Sequence, residues 1–139
     1  MKKQLLTFLL LVTSLTTWAQ SLYQANALAA MRGDAEAQVN VAVAYVFGDG
    51  IDINYAQAVQ WLQKAVAQGN ARGLYMMGVM YEEGKGVPQN QIKASEYYLK
   101  SAKQEFVEAQ FKIGYNYLYA KGCSSRLRAR LLLDSKGCQ

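Results

Sequence analysis

Among its 139 residues the chain has no histidine. That excludes Ser-His and Cys-His nucleophile pairs, most zinc sites and the usual proton shuttle at neutral pH. Cysteine is confined to Cys123 and Cys138, and Pro88 is the only proline. No lysine followed by Ser or Thr trails the glycines, and no strand pattern precedes them, so a phosphate loop is excluded as well. Acidic residues come as Asp34/Glu36, Asp49/Asp52, Glu82/Glu83 and Glu105/Glu108. A calcium loop needs four or more oxygen side chains at closer spacing. The expectation is therefore a chain with no catalytic residue, no cofactor and no metal.

Charge of one sign is lacking where a nucleic-acid surface would need it. The net charge is +5, but Lys2 and Lys3 fall in an N-terminal leader. Lys121, Arg126, Arg128, Arg130 and Lys136 against Asp134 place another +4 after residue 120. Between Gln20 and Ala120 eight basic and nine acidic residues leave −1. A nearly neutral body argues against nucleic acid as the partner. The basic tail reads as a solvated helix face or as a contact for a polyanion.

Long apolar runs are also missing. The longest, Leu5 to Val12 extended through Leu15, is shorter than the ~20 residues that span a bilayer. With Lys2-Lys3 before it and Thr17-Trp18-Ala19 after it, residues 1–19 have the three parts of a cleaved secretory signal. No cysteine directly follows that run to take a lipid anchor. The mature chain is thus expected to begin at Gln20, to be periplasmic or secreted in a bacterium, and to have no membrane span. That compartment permits Cys123 and Cys138 to pair, stapling a weak end, although two free thiols in a tail fit the sequence equally.

What the chain does have is one pattern written twice. Gly33–Gln68 shifted by 36 positions onto Gly69–Gln104 gives ten identities, among them Tyr45/Tyr81, Gly48/Gly84, Gly50/Gly86, Asn54/Asn90 and Ala58/Ala94. A third copy starts at Glu105, with Gly114, Tyr117, Lys121 and Gly122 in step. Such a period marks a stacked array whose units bury their apolar faces only against one another. Residues 20–32 (helical from Ser21, a possible N-cap, to Arg32) form half a unit, a capping helix. The full units are 33–68 and 69–104, and 105–139 is a partial third with a basic tail.

Each unit reads as two helices joined by a glycine turn. Ala37, Val41 and Tyr45 lie on one face, as do Gly73, Met77 and Tyr81, then Ala109, Ile113 and Tyr117. Ala42, Gly78 and Gly114 are small residues beside that stripe, where a partner helix can approach closely. Gly48-Asp49-Gly50 and Gly84-Lys85-Gly86 suit a helix exit with positive φ. Asn54 and Asn90 are N-caps for second helices burying Ala58, Trp61, Leu62 and Ala65, or Ala94, Tyr97, Tyr98 and Ala102.

The sequence from Gly73 to Val87, with Gly78, Tyr81, Gly84 and Gly86, then Ala94 and Tyr97, resembles the Sel-one-like repeat (SLR), a relative of the tetratricopeptide repeat. Ala37, Tyr45, Gly48, Gly50, Ala58, Trp61 and Ala65 repeat the pattern one unit earlier. The resemblance covers about residues 22–122. It implies an all-α, right-handed solenoid of antiparallel helix pairs, about two and a half repeats behind a capping helix, working as a monomeric, non-enzymatic protein-binding module. A cysteine-rich branch of that family is credited with β-lactam binding or cleavage, but units one and two here have no cysteine, so no catalytic set carries over.

The third copy departs from the pattern. Glu105 stands for the opening glycine, Ala120 for a turn glycine, and Cys123-Ser124-Ser125 for the valine and the residues after it. Residues 126–133 allow a short helix with Leu127, Leu131 and Leu132 inward, ending before a full second helix. A native basic cap and a shortened array both fit.

By analogy with tetratricopeptide arrays, residues flanking the buried stripe line a groove: Val39, Val43 and Phe47; Tyr75, Val79 and Glu83; Phe111, Tyr115 and Tyr119. This apolar, aromatic set suits a helix or extended peptide of another protein. The expected role is an envelope adaptor or regulator. The alternative is an immunity or inhibitor protein against a secreted toxin or envelope enzyme. The leader makes a direct prediction: mass spectrometry of the exported protein should find Gln20 first, and Ala19→Leu should leave the precursor uncut.

Overall fold

The computed structural model describes Gln4 and residues 22–119, without the side chains of 117–119. The rest of the leader, the cap at Ser21, both cysteines and the basic tail lie outside the described residues. Helix α1 spans 22–31. It is succeeded by α2 (Ala35–Phe47), α3 (Tyr55–Ala67), α4 (Ala71–Glu83), α5 (Gln91–Ala102) and α6 (Val107–Tyr119). Paired antiparallel helices stack into an all-α solenoid, with α2 on α3, α4 on α5, and α3 and α5 each packed on the next helix in the chain.

Local chemistry sets the helix ends. The Asn54 and Asn90 side chains accept from the backbone N–H of Gln57 and Lys93 at 3.1 and 3.0 Å, as N-caps do. Asp34 and Asn70 cap α2 and α4 in the same way, at 2.8 and 2.7 Å, so Asp34 is a cap and not a first-turn charge. Gly48 and Gly84 end α2 and α4 in the left-handed region (φ 79° and 68°), where a Cβ would be strained. The sequence change at Glu105 has a backbone consequence. Gly33 and Gly69 stand at φ 99° and 76°, and Glu105 takes φ 63° without being glycine. Such a conformation costs a non-glycine residue about 1 kcal/mol.

The core runs along the inner seams of the pairs. Val39, Ala42, Ala58, Leu62, Ala65 and Met80 are fully buried and form one cluster with Val46, Val59 and Met77. Ala30, Ala37 and Val41 form a second beneath α1, so the first helix does cap the array. Trp61, Tyr97 and Ala102, expected inside, are only half-buried, and Lys64 and Lys100 lie over the first two rings. Among the described residues no buried side-chain nitrogen or oxygen lacks a hydrogen bond. The Ser101 hydroxyl donates to the Ala71 carbonyl at 2.7 Å, at the position where the preceding unit has buried Ala65. Gln38 donates to the Ala30 carbonyl and accepts from Gln68.

At Gly78 the small residue does what the spacing suggested, for a reason the spacing did not give, whereas at Gly114 no described atom comes within 4 Å of an added Cβ. A Cβ on Gly78 would stand 2.5 Å from Cε1 of Tyr98. In the preceding unit the same places hold Ala42 and Leu62. The larger ring of the second unit therefore fits only because alanine has become glycine. A third position changes with them: Val46, in one core cluster with Leu62, becomes Glu82, whose carboxylate accepts the Tyr98 hydroxyl at 2.6 Å. An apolar trio, Ala42, Val46 and Leu62, has become an interlocking polar one. Gly78→Ala should destabilise by about 1–3 kcal/mol through overpacking. Adding Glu82→Val and Tyr98→Leu should restore most of that loss, as read by urea denaturation.

Candidate functional site on the first helices

The first helix of each pair offers its outer rows to the surroundings, and the structure sorts the expected groove residues unequally. Val39 is fully buried in the core and so is removed from the groove. Tyr75 is half-buried between the rings of Tyr98 and Phe106, each 5.5 Å away, and serves the seam between α4, α5 and the start of α6. Val43 and Val79 are half-buried. Glu83 is exposed and paired with Lys85 at 2.7 Å. Phe47 at 66% and Phe111 at 73% are the large residues that remain open, with Tyr115 at 50%. The Tyr119 side chain lies outside the described residues. The rows are thus not one continuous apolar strip: Phe47 stands near the N-terminal end of the array, and Phe111 and Tyr115 on its last described helix.

Near Phe47 the chain forms a cleft of about 420 Å³ between α1 and α2, lined by Leu22, Tyr23, Asn26, Asn40, Val43, Ala44 and Asp49. Its walls are pinned. The Tyr23 hydroxyl donates to that of Tyr45 at 3.3 Å, with the rings edge to face. Burial, then this hydrogen bond, pushes the Tyr23 phenol up to about 12. Asn40 donates to Asn26 Oδ1 at 3.2 Å and accepts from Arg72 at 2.7 Å. Arg72 also reaches Glu36 at 3.4 Å, and Asn70 donates to Glu36 at 2.6 Å. A polar ladder therefore ties α1, α2 and α4 edge to edge beside the cleft.

Sequence reasoning missed this ladder, although part of its signal was there. Glu36, Arg72 and Glu108 are 36 residues apart and alternate in sign. The first two meet; the asparagine contacts carry no such period. Further along, Glu82 accepts from Tyr98 and pairs with Lys112 of α6 at 3.0 Å, a second polar tie between units. Burial, together with the Glu82 hydrogen bond and charge, holds the Tyr98 phenol well above the ordinary tyrosine value. Among the described residues no group of three His, Cys, Asp or Glu side chains could hold a metal. No described helix is long and apolar enough to cross a membrane. The arrangement of the described residues offers shape, amides and carboxylates.

The family model described as the Sel1 repeat matches residues 35–70, 71–106 and 107–130. The chain belongs to the Sel1 repeat family. Its units there begin two residues later than the periods counted from Gly33, a different cut through the same cycle. Solved Sel1-type structures share the fold. One is c5321, a protective antigen of uropathogenic Escherichia coli strains displaying an SLR fold, at 35% identity and TM-score 0.66 over 70% of this chain and 21% of that one. Another is a Sel1 repeat protein from Oxalobacter formigenes, at 34% identity and TM-score 0.59 over 61% of this chain and 35% of that one. This chain therefore spans about a fifth and a third of their lengths. A search of curated proteins returns no match. As a Sel1 repeat protein, the chain shares with them a scaffold of stacked antiparallel helix pairs.

Tyr98 gives this solenoid an alkaline signature. Its folded phenol titrates above the ordinary tyrosine value of 10.0, so the unfolded chain releases the proton first as pH rises. The stability this group contributes is complete below about pH 10 and falls above it. Urea midpoints measured from pH 9 to 11.5 should decline in the wild type, and less steeply in Tyr98→Phe, by up to about 1 kcal/mol per pH unit.

Proposed function

We propose that this protein is an exported adaptor of the bacterial envelope that holds a segment of another protein along its first helices. The observation that carries the reading is Phe47. An aromatic ring 66% open to solvent sits at the end of α2, one turn beyond Val43 in the lining of the α1–α2 cleft. Burying such a ring stabilises a complex by about 1.5–3 kcal/mol, and aromatic anchors of this kind dominate interface energetics. The cleft supplies amides from Asn26 and Asn40 and one carboxylate from Asp49. These groups match the backbone of an extended segment and a basic side chain next to it. Since Arg72 and Glu36 hold Asn40 and its helix in place, little side-chain freedom remains to be lost on binding.

The export half of the reading rests on residues 1–19 and the basic-apolar-small order they carry. The test is crosslinking of tagged, exported protein in the periplasm, run in parallel for wild type and Phe47→Asp. The expected result is a set of partners captured by the wild type and depleted at least tenfold by Phe47→Asp, with no change in thermal midpoint. Equal capture by the two proteins, or retention of the tagged protein in the cytoplasm, would overturn the proposal.

A further inference from the structure

The two complete units carry opposite chemistry at the turn that ends the first helix of each pair. In unit two that turn closes on itself: Lys85 pairs with Glu83 at 2.7 Å, and the Gln89 side chain donates to the Glu82 carbonyl at 2.9 Å. One period earlier the places of Glu83, Lys85, Pro88 and Gln89 hold Phe47, Asp49, Asp52 and Ile53. Where unit two has a base, unit one has an acid, and two polar places have become apolar. Phe47 and Ile53 are 66% and 56% exposed. A Cβ built on Gly48 would stand 3.1 Å from Ile53 Cγ1, so Ile53 lies beside the residue that follows Phe47. Asp49 and Asp52 are both exposed, and no described residue forms an ion pair with either.

Charge selects what this apolar patch takes. Residues 22–54 hold one basic and four acidic side chains, −3, whereas residues 55–119 hold seven basic and five acidic, +2. Of the four acids, Asp34 caps α2 and Glu36 is bound by Arg72, which leaves Asp49 and Asp52 to act on the surroundings. Asp49 also lines the α1–α2 cleft, together with exposed Leu22. In that cleft Asn26 donates to the Leu22 carbonyl and Asn40 donates to Asn26, so each amide keeps one N–H with no described partner. Those N–H groups suit the carbonyls of an extended backbone. The carboxylates, which only accept, suit a cation beside it.

Resting on the adaptor reading above, we propose that the partner segment held at this end is cationic, with Lys or Arg beside an aromatic or aliphatic residue. Its apolar side chain lies on Phe47 and Ile53, its cation between Asp49 and Asp52, and its backbone carbonyls toward Asn26 and Asn40. The two carboxylates speed encounter with such a segment, repel an acidic one and are screened by salt. Phe47 and Ile53 supply the part of the affinity that salt leaves in place. Unit two cannot take the same segment, because its turn presents a lysine that is already paired. Selectivity therefore resides in one turn of one unit.

The test is selection of a random peptide library, displayed on phage, against the mature chain, with Phe47→Glu/Asp49→Lys/Ile53→Gln as the counter-target. That variant carries the side chains of Glu83, Lys85 and Gln89, which the same turn accommodates one unit on, so its thermal midpoint should stay within about 4 °C of the wild type. Enriched segments should have Lys or Arg next to Phe, Trp, Leu or Ile. The tightest of them, made as a synthetic peptide, should bind Asp49→Asn/Asp52→Asn about tenfold more weakly than the wild type, a difference that should fall below about twofold in about 1 M NaCl. No enrichment, enrichment of acidic or uncharged segments, or equal affinity for the wild type and Asp49→Asn/Asp52→Asn would overturn the proposal. If a selected peptide ignores the two carboxylates yet is lost with Phe47→Asp, the adaptor reading stands and only the charge assignment falls. If it binds Phe47→Asp as well as the wild type, both fall.

Discussion

The fit of Tyr98 over Gly78 is the constraint on which the rest of the stack depends. A 13-residue helix is close to the length at which isolated helices are marginal in water, and a pair of them has too little shared surface to stand alone. Close approach between the two helices of a pair brings the side chains of both within reach of the next unit. Where that approach is lost, the inner seams open together, because Met77 and Met80 of α4 share one cluster with Val39 and Val46 of α2. Stability in such an array resides in the interfaces more than in the units.

Along the array the chain exchanges chemistry for volume from unit to unit. Leu62 with Val46 and Ala42 fills the first pair by apolar packing. Tyr98 with Glu82 and Gly78 fills the second with a larger ring, one glycine and one hydrogen bond. Ala65 gives way to Ser101, whose hydroxyl finds the Ala71 carbonyl. Each polar replacement arrives with its partner, as the cost of an unsatisfied buried group requires. Glu82 also meets Lys112 of α6, so the polar solution in one pair supplies a tie to the next. The same logic governs the outer edge, where Arg72 binds Glu36 and Asn40 at once. The cleft beside Phe47 is held open by these ties, which is what a recognition surface needs if binding is not to begin with costly ordering.

Much of the architecture was legible in the order of residues. The caps at Asn54 and Asn90, the exits at Gly48 and Gly84, the capping role of α1 and the buried alanines all obey local rules that act over a few residues. The candidate site was legible only in part. Val39, Val43 and Phe47 look alike in sequence, three apolar residues on one helical face, yet Val39 is fully buried and Phe47 two-thirds open. Tyr75 looked like a binding residue and instead packs against Tyr98 and Phe106. The asparagine and arginine ladder had no periodic trace beyond Glu36 and Arg72.

The sequence by itself determined the period, the helix ends and the residues occupying equivalent places, because these depend on spacing along one chain and on backbone chemistry. Only the tertiary structure decided which of those equivalent places are covered. Coverage depends on what the neighbouring unit puts above a position, and the units differ in side-chain volume and polarity: Val39, Tyr75 and Phe111 share one register and have three different environments.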